Sequence, residues 1–164
     1  MWIRLRKIYP GTTFGIVPTW DWCSLPPGFG FVYLYCHDGS GELNDALKIS
    51  VENAVELYRG CGITVEVRSP LKITPTITAS LLIQSNYDPE DIAAKVRQAL
   101  IDYLNTKILG EDLFLAELYQ FIMGKYDKAI LNTAITEPIA DIYVASSSVI
   151  RADPSLVTVT GTTV

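Results

Sequence analysis

Residues 29–67, FGFVYLYCHDGSGELNDALKISVENAVELYRGCGITVEV, decide how the chain is read. Phe29, Phe31, Tyr33 and Tyr35 alternate with Gly30, Val32, Leu34 and Cys36, the period of two that sends successive side chains to opposite faces of a strand. Both sets are apolar, so the strand is expected to be covered on both sides. After the turn residues His37, Asp38, Gly39 and Ser40 the period changes to 3.6. Leu43, Leu47, Val51, Ala54, Val55 and Tyr58 form one stripe of a helix expected from about Glu42 to Tyr58. Gly60 and Gly62 close it, because glycine enters the left-handed conformation that ends a helix. Ile63, Val65 and Val67 then alternate with Thr64, Glu66 and Arg68 as a half-buried strand. The stretch is strand, helix, strand.

Upstream, the chain through Trp20, Asp21, Trp22 and the turn at Pro26, Pro27 and Gly28 reads as irregular, with one strand near Thr13 to Val17. Residues 1–70 are therefore expected to form one α+β domain and residues 71–164 a second. The second opens on Leu71, Ile73, Pro75, Ile77, Ala79, Leu81 and Ile83, all in one phase of a ladder, with Pro75 marking an edge or a bulge because it has no N–H to donate. Asp88 as cap, Pro89 at the first helical position, and Glu90 and Asp91 against the positive end of the dipole start a helix striped by Ile92, Val96, Leu100, Tyr103 and Leu104. Another helix is expected from Asp112 to Met123, closed by Gly124, and short strands at 128–136, 141–144, 149–151 and 157–160. This order predicts an α+β fold, two small ferredoxin-like sandwiches in tandem, with helices on one face of mostly antiparallel sheets.

Composition narrows the function classes. The 164 residues are 49% hydrophobic and 19% charged, with a mean hydropathy of +0.24; ordinary soluble domains carry about 25% charge. Disorder is excluded, and a surface poor in charge needs a reason. Thirteen Lys and Arg against eighteen Asp and Glu give a net charge of -5, which repels a phosphate backbone and argues against nucleic acid as a partner. Cys23, Cys36 and Cys61 are widely spaced and form no CxxC pair, so they read as small apolar fillers in a reducing compartment. Pro10, Gly11 and Gly15 interrupt any apolar run before it reaches signal-peptide length, and no stretch approaches the roughly 18 apolar residues of a membrane span.

Reactive constellations are sparse. The only histidine, His37, lies beside Asp38 and near Ser40, but a triad needs an orienting carboxylate on the far ring nitrogen and a serine on a strained elbow, and these residues together read as a turn. Asp88, Glu90 and Asp91, like Glu111 and Asp112, are accounted for by helix starts rather than by a cation. No glycine cluster is followed by the lysine and hydroxyl pair of a phosphate loop; Gly124 and Lys125 are followed by Tyr126. The expectation is a chain that is not an enzyme, with no metal, cofactor or small-molecule substrate. What remains is surface. Phe29, Phe31, Tyr33 and Tyr35 form either core or a contact with another subunit, and Leu156 to Val164 carries no charge, an open edge that invites strand addition through Val157 and Val159.

The order of these features resembles the baseplate J-like family, wedge proteins of contractile phage tails and related injection machines. The likeness runs from Pro27 and Gly28 through Asp38, Gly39 and the amphipathic helix to Tyr58, Arg59 and Gly62, then through Ser69, Pro70, the alternating strand and the Asp88 to Asp91 cap to the helix at Leu113 to Ile122 and the tail strands. It is similar to the C-terminal portion of such proteins. Gly60 and Cys61 stand where family members commonly carry a proline, and members are usually longer. The family pattern thus implies that the chain is a fragment or a shortened gene product, or that the preceding portion is supplied by another protein. The resemblance implies a structural subunit that works by protein-protein contacts in baseplate assembly and tail contraction, located in the virion after assembly in the host cytoplasm, with other tail proteins or further copies as partners. The reading kept beside it is a small-ligand regulatory module, since ferredoxin-like pairs often bind metabolites between helices and sheet edges.

Overall fold

The computed structural model describes residues 30–58, 60 and 63–164, together with the backbone of 13–17. The irregular opening, the Pro27-Gly28 turn, Phe29, Arg59, Gly62, Cys23 and Cys61 lie outside the described residues. The chain divides into two compact units, Met1–Leu71 and Lys72–Val164.

In the first unit β1 (Thr13–Val17), β2 (Gly30–His37) and β3 (Ile63–Arg68) form a sheet in the order β1-β2-β3, and α1 (Asp45–Glu56) crosses between β2 and β3. Strands β1 and β2 are antiparallel, whereas β2 and β3 run parallel with Leu34 opposite Val67 and Tyr33 opposite Glu66. The helix begins later than its apolar stripe suggests, because Asn44 caps it: the Leu47 N–H donates to Asn44 Oδ1 at 2.8 Å. Leu34 and Cys36 on β2 and Val67 on β3 are buried with Val51 of α1, flanked by Leu43, Leu47, Val55 and Val65. Among the described residues this core lies on the face of the sheet that α1 covers. Phe31, Tyr33 and Tyr35, on the face away from α1, are half-buried.

The second unit is built on β5 (Ile77–Ile83), the middle strand of a sheet ordered β6-β5-β8, with β6 (Ile130–Glu137) antiparallel and β8 (Val157–Thr163) parallel to it. Its inward residues Ile77, Ala79, Leu81 and Ile83 are all buried. They meet Ile92, Val96, Leu100 and Leu104 of α2 (Pro89–Thr106) and Leu118 and Ile122 of α3 (Leu115–Lys125). A second ladder joins β4 (Leu71–Ile73) to β7 (Ser148–Ile150), and a 3-10 turn at Pro154–Leu156 leads into β8.

The architecture is mixed α+β with three helices and small sheets. Each three-stranded sheet contains one antiparallel and one parallel pairing, a mixture that follows from helices lying between the parallel strands in sequence. The alternating ladder is interrupted at 74–76, where β4 leaves for a different sheet from β5, and the buried Pro75 sits in that break. The strand expected at 141–144 is reduced to an isolated bridge between Leu113 and Ile142.

Two glycines carry opposite consequences. A Cβ on Gly161 of β8 would stand 2.5 Å from the Pro89 carbonyl oxygen and 2.9 Å from Ile83 Cδ1, so this strand admits the first turn of α2 only because a side chain is missing. Gly124 was expected to close the helix but lies inside α3, where a Cβ would meet nothing within 4 Å. Gly161→Ala is expected to destabilise the second unit by about 1–3 kcal/mol through backbone overpacking. Gly124→Ala is expected to stabilise it by about 0.5–1 kcal/mol by lowering the entropy lost in the helix. Urea denaturation of both variants checks the opposite signs.

Candidate interaction surfaces

The turn that holds the single histidine is organised around Asp38. Its Oδ1 accepts from the Ser40 N–H at 3.0 Å and from the Ser40 hydroxyl at 2.5 Å, and its Oδ2 accepts from Asn44 Nδ2 at 3.4 Å. The Ser40 hydroxyl, followed by its backbone N–H, holds the Asp38 carboxyl below the usual carboxylate range. Gly39 and Gly41 have φ of 105° and 91°, the left-handed backbone that allows so tight a reversal. His37 itself is fully buried, and its Nδ1 accepts from the Gly39 N–H at 3.0 Å. The Ser40 hydroxyl thus faces a carboxylate, and His37 is committed to the backbone of the turn. Beside it, Cys36 is free and buried; burial, then the nearby Glu52 carboxylate, pushes its thiol up to about 11.

Among the described residues, no three His, Cys, Asp or Glu side chains come together as a metal site requires. No described helix is long and apolar enough to cross a membrane. Asp88 serves as a cap, its Oδ1 accepting from the Glu90 N–H at 3.0 Å, while Asp91 pairs with Lys95 at 2.6 Å. Asp112 does not start α3: its Oδ1 accepts from the Val144 N–H at 2.7 Å, and α3 begins only at Leu115.

A polar centre that periodicity does not announce stands at the C-terminal end of α2. Lys107 is 3% exposed and donates from Nζ to Glu111 at 2.8 Å and to Glu117 at 2.9 Å. Its ammonium also lies 5.1 Å from the Tyr103 ring centroid, and that ring stacks on Phe121 at 4.5 Å. Burial pulls the Lys107 ammonium down, but its hydrogen bonds to Glu111, Glu117 and Tyr103 outweigh that and hold it above the ordinary lysine range. Lys107 in turn, against a smaller opposing effect of burial, holds Glu117 below the usual carboxylate range. Arg151, also buried, donates from Nη1 to the Lys107 carbonyl at 2.9 Å and so occupies an acceptor left open at the helix end. The only sequence sign of this centre is a lysine at a helix terminus four residues before a glutamate. It pins α2 to α3 and to the segment after β7.

The aromatic row and the tail strand fall in different settings. Phe31, Tyr33 and Tyr35 share the face of the first sheet away from α1 with Thr64, Glu66 and Arg68. The Arg68 guanidinium stacks over Tyr33 at 3.8 Å while gripping Glu66 with two bonds of 2.9 Å. On β8, Val157 is 2% exposed and Val159 packs against the core. Their side chains therefore point into their own unit, which leaves the backbone edge of β8, rather than the valine side chains, for the strand addition expected there. Outward from β8 stand Thr158, Thr160 and Thr162, beside Ser80 and Leu82 of β5 and Asn132 and Ala134 of β6. Across its middle this open sheet face carries no charged side chain.

Between α2 and α3 runs an open groove of about 490 Å³ with Tyr103 and Phe121 among its lining residues and Lys95 and Lys125 at its sides. Lys95 is tied to Asp91, and Lys125 lies 5.8 Å from the Phe121 ring centroid.

No family model matches the chain, and no curated protein matches it.

Two measurements follow from this geometry. Glu117 has a lowered carboxyl pKa, so its contribution to stability is complete above the unfolded carboxylate value, about 4.3, and is lost as pH falls through its lower folded value. Lys107 has a raised pKa, so its contribution is complete below about 10.4 and is lost as pH rises through its folded value. Urea midpoints against pH should show both limbs, and Lys107→Met should flatten them while costing about 1 kcal/mol at neutral pH. Separately, Val157→Lys is expected to lower folding stability by about 3 kcal/mol or more, since it buries an unpaired charge. Thr158→Lys, one residue along and exposed, should change it by less than about 0.5 kcal/mol; equal losses would contradict the assigned faces of β8.

Proposed function

We propose that the chain is a structural subunit of a phage-tail-like baseplate, a wedge component that works by protein-protein contacts during baseplate assembly and tail contraction. Each unit is read as a reduced ferredoxin-like sandwich, the pair forming the C-terminal portion of a baseplate J-like protein. Support comes from the ordered set of motifs from Asp38 to the tail strands, and most of all from the threonine-rich open face of the β6-β5-β8 sheet, which carries no charge across its middle. A sheet face with no charge across its middle, Glu137 standing only at its end opposite Thr78, is poorly suited to repel neighbours and well suited to lie against one. In this reading the partners are other tail proteins or further copies, the place is the virion baseplate, and the groove between α2 and α3 is a seam between helices rather than a metabolite site.

The test is made in the organism that carries the gene. Contractile particles purified after tagging the chain should retain the tag through sedimentation, with antibody label at the tail end, and deletion should leave tails without finished baseplates. Particles that form, contract and inject normally without the chain, or that never contain it, would overturn the proposal. The groove gives the small-ligand alternative a definite place: saturable, stoichiometric binding of an anionic metabolite, abolished by Lys125→Glu, would favour it instead.

A further inference from the structure

The two edges of the β6-β5-β8 sheet are treated differently by the fold. Along the outer edge of β6 the Thr133 N–H donates to Asn132 Oδ1 at 2.9 Å and the Ile135 N–H to the Tyr119 hydroxyl at 3.2 Å, so side chains occupy the donors that another strand would need. At its far end β6 runs into Glu137 and Pro138, a charge and a residue without an N–H, both of which discourage edge pairing.

Strand β8 has one such device and then none. The Val157 carbonyl, pointing away from β5, accepts from Arg97 Nε at 2.8 Å, and Arg97 also reaches the Pro154 carbonyl. The Val164 N–H points the other way, to the Ile83 carbonyl of β5 at 3.3 Å. Because backbone direction alternates along a strand, Val159, Gly161 and Thr163 turn their N–H and C=O groups outward, and among the described residues no strand lies beside them. Thr160, Thr162 and Thr163 are exposed. From Ser155 to Val164 there is no charge and no proline.

We infer that this edge pairs with the same edge of a second copy, β8 against β8 in antiparallel sense, joining two three-stranded sheets into one. A two-fold axis at Gly161 uses the outward groups of all three residues: Gly161 faces Gly161, and Val159 faces Thr163, each pair exchanging both N–H···O bonds. Between them Thr160 stands opposite Thr162, a favourable cross-strand pair. A second copy suits this edge because the segment is uncharged: two identical strands meet without like charges in contact, although each whole chain carries -5. That net charge sets a second signature, association that strengthens as salt screens the long-range repulsion. The pairing follows from the geometry of β8 and holds whether or not the chain belongs to a tail machine.

Sedimentation equilibrium of the full chain over a concentration series tests it, with hydrogen exchange read at single amides. The expected result is a monomer-dimer equilibrium in which the Val159, Gly161 and Thr163 amides exchange more slowly as dimer forms. Thr163→Pro removes an outward N–H without touching the ladder to β5. Thr160→Lys places two lysines diagonally across the proposed axis. Each should weaken association about tenfold or more with the urea midpoint unchanged; if the proline variant does not fold, the lysine variant carries the test. A chain that stays monomeric at the highest concentration overturns the inference, as does a dimer that neither variant weakens. Protection of the three amides in dilute monomer overturns it too, since the edge would then be already covered.

Discussion

Strand β5 is paired on both sides and turns Ile77, Ala79, Leu81 and Ile83 into a core closed by α2 and α3. Burying a row of aliphatic side chains at about 1.5–3 kcal/mol each supplies the main driving force of the second unit. It also places β8 beside β5 at a register where only glycine fits under the first turn of α2. Once that contact is made, inward and outward are settled for every residue of β8, and with them the division between valines that serve the core and threonines that meet the surroundings. Among the described residues the first unit gathers Leu34, Cys36, Val51 and Val67 into its core, and its aromatic row is half-buried.

Polar groups in the second unit act mainly as fasteners. Lys107 gives up water for two carboxylates and an aromatic face, and Arg151 occupies the carbonyl at the end of α2. Charges buried in this way contribute little net stability when compared with apolar replacements, yet they make a misplaced packing costly because any slip strands an ammonium or a guanidinium. They hold the corner where α2, α3 and the segment after β7 converge, and the uncharged sheet face lies on the other side of β5. A stiff support behind a face with no charge across its middle is what the proposed contact surface requires.

Several of these features are legible in the residue string. The alternation in 30–37, the stripe of α1 and the Asp88-Pro89 start of α2 are local patterns, and each produced the element it announces. Boundaries strayed where a side chain outside the pattern took over: Asn44 delayed α1, Asp112 was drawn to the Val144 N–H and did not open α3, and Gly124 stayed helical because nothing crowds it. The surface was less legible. Val157 and Val159 read as contact groups from a chargeless tail, but a strand has two faces and two edges, and composition does not say which of them is occupied.

What the amino-acid sequence determined alone is most of the elements, their α+β class and the absence of charged side chains from Ser155 to Val164, since periodicity, capping and composition act over a few neighbouring residues. Which strands became neighbours, that β8 returns parallel to β5, that Gly161 must yield to Pro89, and that Lys107 is buried were decided by the tertiary structure. Each of those depends on groups distant in the chain competing for the same space. Their outcome is set by which packing buries the most apolar surface while leaving no backbone donor or charge without a partner.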